Sequence, residues 1–227
     1  MCIRDRNNIF TLNPSVSSAG MGNVGIANAE VKNVFHNPAF AGLRESHQEV
    51  SYVEWLPNLT DDMGYQSILV TSNMGWSSEI FYFNYGTQVQ ADQYGVVLGD
   101  FESSSYRVSG GYGFGFNDWL VGARLNLYSH NFIDDYSIDM NYGFDLGAYK
   151  EFGNTSLGLV LKDVGGETKF LDQKLNLPMS VGIGVGHKFG NFTLASDVKL
   201  YEDYNSIGLG GQYDLGIASL KLGYYTE

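Results

Sequence analysis

Cysteine is almost absent. Cys2 is the single one in 227 residues, so no intrachain disulfide can form and a disulfide-stapled scaffold is excluded. Positive charge is also scarce, with 13 Lys and Arg against 25 Asp and Glu and a formal net charge of −12. Phosphate binding needs clustered Lys and Arg, and these are scattered, so a nucleic-acid partner is excluded. The surplus acid serves solubility and surface repulsion. Proline is limited to 4 residues, and no run of about 18 apolar residues exists to form a transmembrane helix. A membrane β-barrel would show no such run, because it crosses with short alternating strands.

What the chain has is glycine (29), Tyr (16) and Phe (14), with only 17% charged residues, which suits aromatic, glycine-punctuated strands and predicts an all-β fold. From His47 onward the sequence divides into segments of about ten residues that alternate in polarity. In the clearest, Trp119, Val121, Ala123, Leu125 and Leu127 share one face, and Gly122, Arg124, Asn126 and Tyr128 the other. An arginine facing lipid near the midplane costs about 2–4 kcal/mol, so the Arg124 face is assigned to the lumen. The same alternation places Arg107, Asp145, Asp197, Lys162 and Lys188 inside, as a packed polar interior.

A soluble β-sandwich would alternate in the same way. Connection lengths and aromatic placement argue for the barrel. Turns near Asn73-Met74-Gly75, Gly115-Phe116-Asn117, Gly153-Asn154, Gly190-Asn191 and Asp214-Leu215-Gly216 are short, whereas Gly86 to Phe101, His130 to Asp139 and Gly165 to Pro178 read as long outer loops. Trp76, Phe114, Phe116, Trp119, Phe152, Phe189 and Phe192 gather beside the short turns like an interfacial girdle. Strand starts are expected near His47, Asp62, Gly75, Glu102, Asp118, Met140, Thr155, Met179, Asn191, Asn205 and Ile217. Eleven is odd, where single-chain bacterial barrels have even numbers, so residues 47–227 read as an incomplete barrel with aggregation-prone edges. Residues 1–9 read as a foreign or disordered N-terminus, the first six, MCIRDR, resembling a translated adapter remnant.

Residues 10–46 read as a plug with short helices. Asn37 is a good N-cap, Pro38 fits the first helical position, and Gly42 can end a helix over Pro38 to Ala41 in the left-handed conformation. Gly20, Met21, Gly22 and Gly25, with Ala27 and Ala29, form a stretch whose backbone can press against a neighbour. Glycine on the lumen strips leaves room for it, so an occluded barrel is expected rather than a wide pore.

Little else points to chemistry. His36, His47, His130 and His187 lack metal-ligand spacing, no G-x-S-x-G elbow occurs, and neither cofactor, metal site nor catalytic residues are expected. A spatially assembled Ser-His hydrolase is a minor alternative. The acidic pairs Asp61-Asp62 and Asp134-Asp135 fall in outer loops, and Asp134, Asp135 and Asp139 read as a solvated loop rather than a Ca²⁺ site.

The stretch AGMGNVGIA (Ala19 to Ala27) followed by HNPA (His36 to Ala39) resembles the N-terminal signature of the PorV/PorQ family of outer-membrane β-barrels, itself similar to FadL fatty-acid transporters. Trp55-Leu56-Pro57-Asn58-Leu59, Asn84-Tyr85-Gly86, Asp92 with Gly95, Gly99-Asp100-Phe101, Asp145-Leu146-Gly147 and Leu177-Pro178 resemble further landmarks, over a likeness running from about Phe10 to the end. AGMGNVGIA is more PorV-like and Val34 to Ala39 more PorQ-like, so the subgroup stays open. The resemblance implies a FadL-like up-and-down transmembrane barrel, fourteen-stranded when complete, with about three strands missing here. It implies a bacterial outer-membrane location and a non-enzymatic role in type IX secretion in Bacteroidetes-type bacteria. Expected partners are outer-membrane lipid, other secretion-system proteins and cargo carrying C-terminal domains, with contacts on Gly86 to Phe101 and Gly165 to Pro178. The alternative is FadL-like passive uptake of a hydrophobic small molecule.

Overall fold

A computed structural model describes residues 9–28, 30, 33–56, 62–131, 137–165, 167–170 and 173–226. The chain is all-β. Its strands are β1 (His47–Glu54), β2 (Gly64–Thr71), β3 (Trp76–Ala91), β4 (Val97–Phe116), β5 (Trp119–Asn131), β6 (Ser137–Phe152), β7 (Thr155–Gly165), β8 (Glu167–Phe170), β9 (Gln173–Asn176), β10 (Ser180–Phe189), β11 (Phe192–Tyr201), β12 (Asn205–Asp214) and β13 (Ser219–Thr226). Eleven form one antiparallel up-and-down sheet, and β8 with β9 makes a separate hairpin between β7 and β10. The sheet is not closed, because β1 and β13 do not pair.

Alternation sets the two faces. On the outer face a chain of cross-strand partners runs Ile68, Ile80, Val108 and Leu127, and a second runs Leu159, Ile183, Val198 and Ile207. Most of these are about half exposed, Ile183 by 54%. A soluble monomer rarely leaves so wide an apolar band uncovered. Trp76, Phe114, Phe116, Phe152, Phe189 and Phe192 stand exposed beside the short turns at one end of the sheet. One such turn is a two-residue hairpin at Asn117 (φ 47°) and Asp118 (φ 63°), the paired left-handed geometry that matches strand twist.

The inner face is covered by the described residues between 9 and 44. Ser15 caps a short helix, α1 (Val16–Ala19), and donates through Oγ to Glu49 on β1 (2.6 Å), while Ser17 bonds Lys221 on β13. Both sheet edges therefore reach one helical turn, and the sheet must curl around it. A 3₁₀ helix at Pro38–Leu43 lies against β4, β5 and β6.

Several boundaries differ from the sequence expectation. The helix after Asn37 is 3₁₀ and runs on to Leu43, and the left-handed cap is Arg44 (φ 56°), not Gly42, whose backbone is pressed against Phe114 instead. The stretch from Gly86 to Phe101 is mostly strand, because Asp92 builds a tight turn that lets β3 and β4 continue pairing. β4 thus begins at Val97 rather than Glu102, and β6 at Ser137 rather than Met140. The Gly165 to Pro178 connection contains β8 and β9. Residues 1–8, Ala29, Pro57, Asn58, Leu59, Asp61, Asp134 and Asp135 lie outside the described residues, as does the side chain of Asp139.

Close approach makes glycine obligatory at particular wall positions. A Cβ on Gly147 would overlap the Asn37 carboxamide, whereas on outward-facing Gly110 it would meet nothing within 4 Å. Gly147→Val should therefore expel the 3₁₀ segment and expose residues 9–44 to limited proteolysis, and Gly110→Val should leave the cleavage pattern unchanged.

Candidate functional site

The inner face and its covering segment bring together many buried polar and charged groups. Met21 is fully buried with Val24 and Ala195. Gly22 (φ 68°) lies where a Cβ would come 2.5 Å from Tyr224 O and 2.6 Å from Leu209 O, wedged between β12 and β13. Gly20 carries no such demand, since its nearest wall contact would be an ordinary 3.6 Å from Lys221. Asp197 on β11 accepts from Gly25 N (2.7 Å) and Ile26 N (2.9 Å), an anchor of two charge-assisted bonds.

Asn37 ties the segment to itself and to the wall. Its Nδ2 donates to Ile26 O (2.8 Å) and Ala148 O (3.1 Å), and its Oδ1 accepts from Ala39 N (3.0 Å), the N-cap bond. Pro38, at the first helical position, presents its carbonyl to Gly122, and Ala39 is buried with Val34, Phe40 and Leu69.

A charged cluster lies on β3 to β7. Glu79 bridges two guanidiniums, Arg107 Nη2 at 2.5 Å and Arg124 Nη2 at 2.7 Å, with all three side chains 1–2% exposed. Arg107 Nη1 donates to Phe10 O of the covering segment, and Arg124 Nε donates to Asn126 Oδ1 (2.8 Å). Asp145 Oδ2 stands 4.0 Å from Arg124 Nε, while its Oδ1 accepts from Asp163 N (2.8 Å). Tyr128 donates to Asp163. Phe35 inserts its ring among the cations, 3.7 Å from Lys162 Nζ, 4.7 Å from Arg107 and 5.9 Å from Arg124. Desolvated cation–π contacts of this kind contribute about 2 kcal/mol.

The structure thus brings Arg107, Arg124, Asn126 and Asp145 together and sets Asp197 apart as an anchor for Gly25. Lys188 follows the same alternation but sits at the rim, where Nζ meets Glu30 at 2.7 Å with the two side chains 54% and 37% exposed, not in the interior. Glu79 and Asp163 were missed by sequence reasoning. In β3 both faces are apolar, with Ile80 and Tyr82 outside and Phe81 and Phe83 inside, so alternation does not mark Glu79. Asp163 is turned inward by a bulge (φ 56°) that pairing with β6 accommodates between Phe144 and Leu146. A lone charge in an otherwise uncharged strand was the available signal for Glu79.

The histidines are dispersed: His36 Nε2 meets Ser18 Oγ (2.8 Å), His130 Nδ1 meets Ser105 Oγ (2.7 Å) and His187 Nδ1 meets Thr155 Oγ1 (2.8 Å). Ser18 is fully buried, out of reach of a substrate. Among the described residues no cluster of three His, Cys, Asp or Glu is disposed to hold a metal ion. Burial, then the charges of Lys199, Lys162 and Arg124, push the His36 imidazole well below its usual 6.5.

Compared with known proteins, the chain matches no family model and no curated protein.

Two predictions follow from the geometry. Glu79→Ala leaves two buried guanidiniums without their shared carboxylate and should destabilise the fold by about 3–5 kcal/mol in urea unfolding. His36 stays neutral when docked, while the unfolded chain takes up its proton below pH 6.5. Docking is therefore at full strength above that pH and weakens as pH falls. His36→Gln should flatten the fall in midpoint between pH 7.5 and pH 5.

Proposed function

We infer that this protein is a plugged outer-membrane β-barrel of the PorV/PorQ type, acting without catalysis as a docking or shuttle platform in type IX secretion. The observation that supports this most is the combination of an inner face filled by the chain's own residues 9–44 with an outer face that is a continuous apolar band. A filled interior suits a membrane-anchored binding surface better than a general pore. The antiparallel up-and-down sheet, the aromatic belt beside the short turns and the signature residues Met21, Gly22, Asn37, Pro38 and Ala39 at the contact with the wall agree with it. No described helix is long and apolar enough to cross a membrane, which says nothing about crossing by strands. Closure into a complete transmembrane barrel and a bacterial outer-membrane location belong to this reading.

The rival reading is FadL-like passage of a hydrophobic molecule. An apolar groove of about 820 Å³ is lined chiefly by Phe192, Leu194, Leu209, Tyr213, Leu222 and Tyr224. It opens on the outer face of β10 to β13 rather than into the filled interior, so it favours lipid contact more than a path through the sheet.

Affinity purification from native outer membranes, with mass spectrometry of bound proteins and lipids, separates the two. Recovery of a large translocon barrel or of secreted proteins sharing a C-terminal domain is expected, and stoichiometric fatty acid without such proteins would make this a transporter. The membrane placement has its own test. Ile183→Arg, in the middle of β10 on the outer face, should cost about 2–4 kcal/mol when the protein folds into bilayers. A soluble domain would tolerate the same exposed substitution within about 0.5 kcal/mol.

A further inference from the structure

The outer face of β10 to β13 is not level. Leu194, Gly211 and Leu222 stand opposite one another across β11, β12 and β13, and one step further from the short turns Ser196, Leu209 and Tyr224 do the same. Gly211 and Ser196 are diagonal neighbours on adjacent strands. Both are small, so the apolar groove of about 820 Å³ has its floor there and its walls at Leu194, Leu209 and Leu222. A Cβ on Gly211 would meet only Phe192 and Leu194, at ordinary contact distances of 3.4 to 3.6 Å. The backbone would accept a side chain at this position, and its absence leaves the space.

The groove has a polar end. On the side of the short turns it reaches Phe192, of the aromatic belt, and His187 on β10. His187 Nδ1 lies 2.8 Å from the Thr155 hydroxyl. When Thr155 donates in that bond, Nε2 carries the ring proton and can donate to an oxygen acceptor. Towards Leu209 and Tyr224 the walls are apolar, and Leu222 is 81% exposed. An apolar trough with one hydrogen-bond donor at its interfacial end matches an amphiphile, and the trough is continuous with the apolar band of the outer face.

We propose that this groove holds a single membrane phospholipid, with one acyl chain lying over Gly211 and Ser196 and a phosphate or ester oxygen accepting from His187. Bilayer chains are as apolar as the wall, so burial alone retains nothing. Retention comes from fixed packing against a floor and two walls, and from the bond at the head. The inference rests on the membrane reading and adds a lipid site to it.

The test uses the full chain extracted into dodecyl maltoside and exchanged with palmitoyl-oleoyl phosphatidylethanolamine, and native mass spectrometry counts the lipid that stays bound. One lipid per chain is expected. Gly211→Leu and Ser196→Leu, which fill the floor from neighbouring strands, should each reduce retention about tenfold. Gly110→Leu, on the outer face of β4 where a Cβ meets nothing within 4 Å, should leave it unchanged. His187→Ala should lower retention, and His187→Gln, whose carboxamide still donates, should keep most of it. Absence of bound lipid, or equal retention in the filled variants and the parent, would overturn the proposal. So would preferential retention of free palmitate, or Leu222→benzoylphenylalanine cross-linking to a protein instead of lipid in native membranes. Ile183→Arg tests the membrane placement separately, so failure of the lipid site alone leaves that reading standing.

Discussion

The structure depends on one steric constraint. A backbone segment of about three dozen residues has to lie against the inner face of a curled sheet, and the sheet has to give up its side chains where that backbone touches. Gly113, Gly122 and Gly147 do so beneath the 3₁₀ helix, Gly158, Gly182 and Gly184 beneath Ile26, and Gly208, Gly210 and Gly223 beneath Met21 and Gly22. Glycine within strands is ordinarily a weakness, having no side chain to pack. Here the missing Cβ atoms are replaced by the covering segment, so sheet and segment each complete the other's packing.

Electrostatics then decides which interior is permissible. Burying Arg107 and Arg124 is tolerable only because Glu79 lies between them and Asp145 beside Arg124. Phe35 extends the cluster by offering its ring to Lys162 and both arginines, and Phe10 offers its carbonyl to Arg107. The covering segment is consequently part of the charge balance of the wall and not a passive filler. Its removal would leave desolvated cations facing a void, a reason for the segment to stay docked. That inner arrangement leaves the outer apolar face and the β3–β4 hairpin exposed.

Much of this was legible in the sequence because strand alternation has a period of two and is read locally. Val181, Ile183 and Val185 against Gly182, Gly184 and Gly186 predict both an outward apolar face and an inward face with room, and both are found. Asn37-Pro38 announced a helix start through cap chemistry that needs only neighbouring residues. The pattern failed where a bulge or a turn resets parity. Asp163 enters the interior through a left-handed residue, and Asp92 folds the supposed loop after Gly86 into paired strand.

The sequence by itself determined the all-β class, the eleven-stranded rhythm, the sidedness of most strands and a non-strand segment fitted with small residues. Each of these follows from residue type and spacing along the chain. Tertiary structure alone decided that Glu79 bridges two arginines from different strands, that Phe35 stacks among their charges, that Asp197 receives the amides of Gly25 and Ile26, and that both sheet edges meet one helical turn. Those facts join residues far apart in sequence, and the physical reason is that register and curvature, which bring them into contact, belong to the assembled sheet and to no local stretch of it.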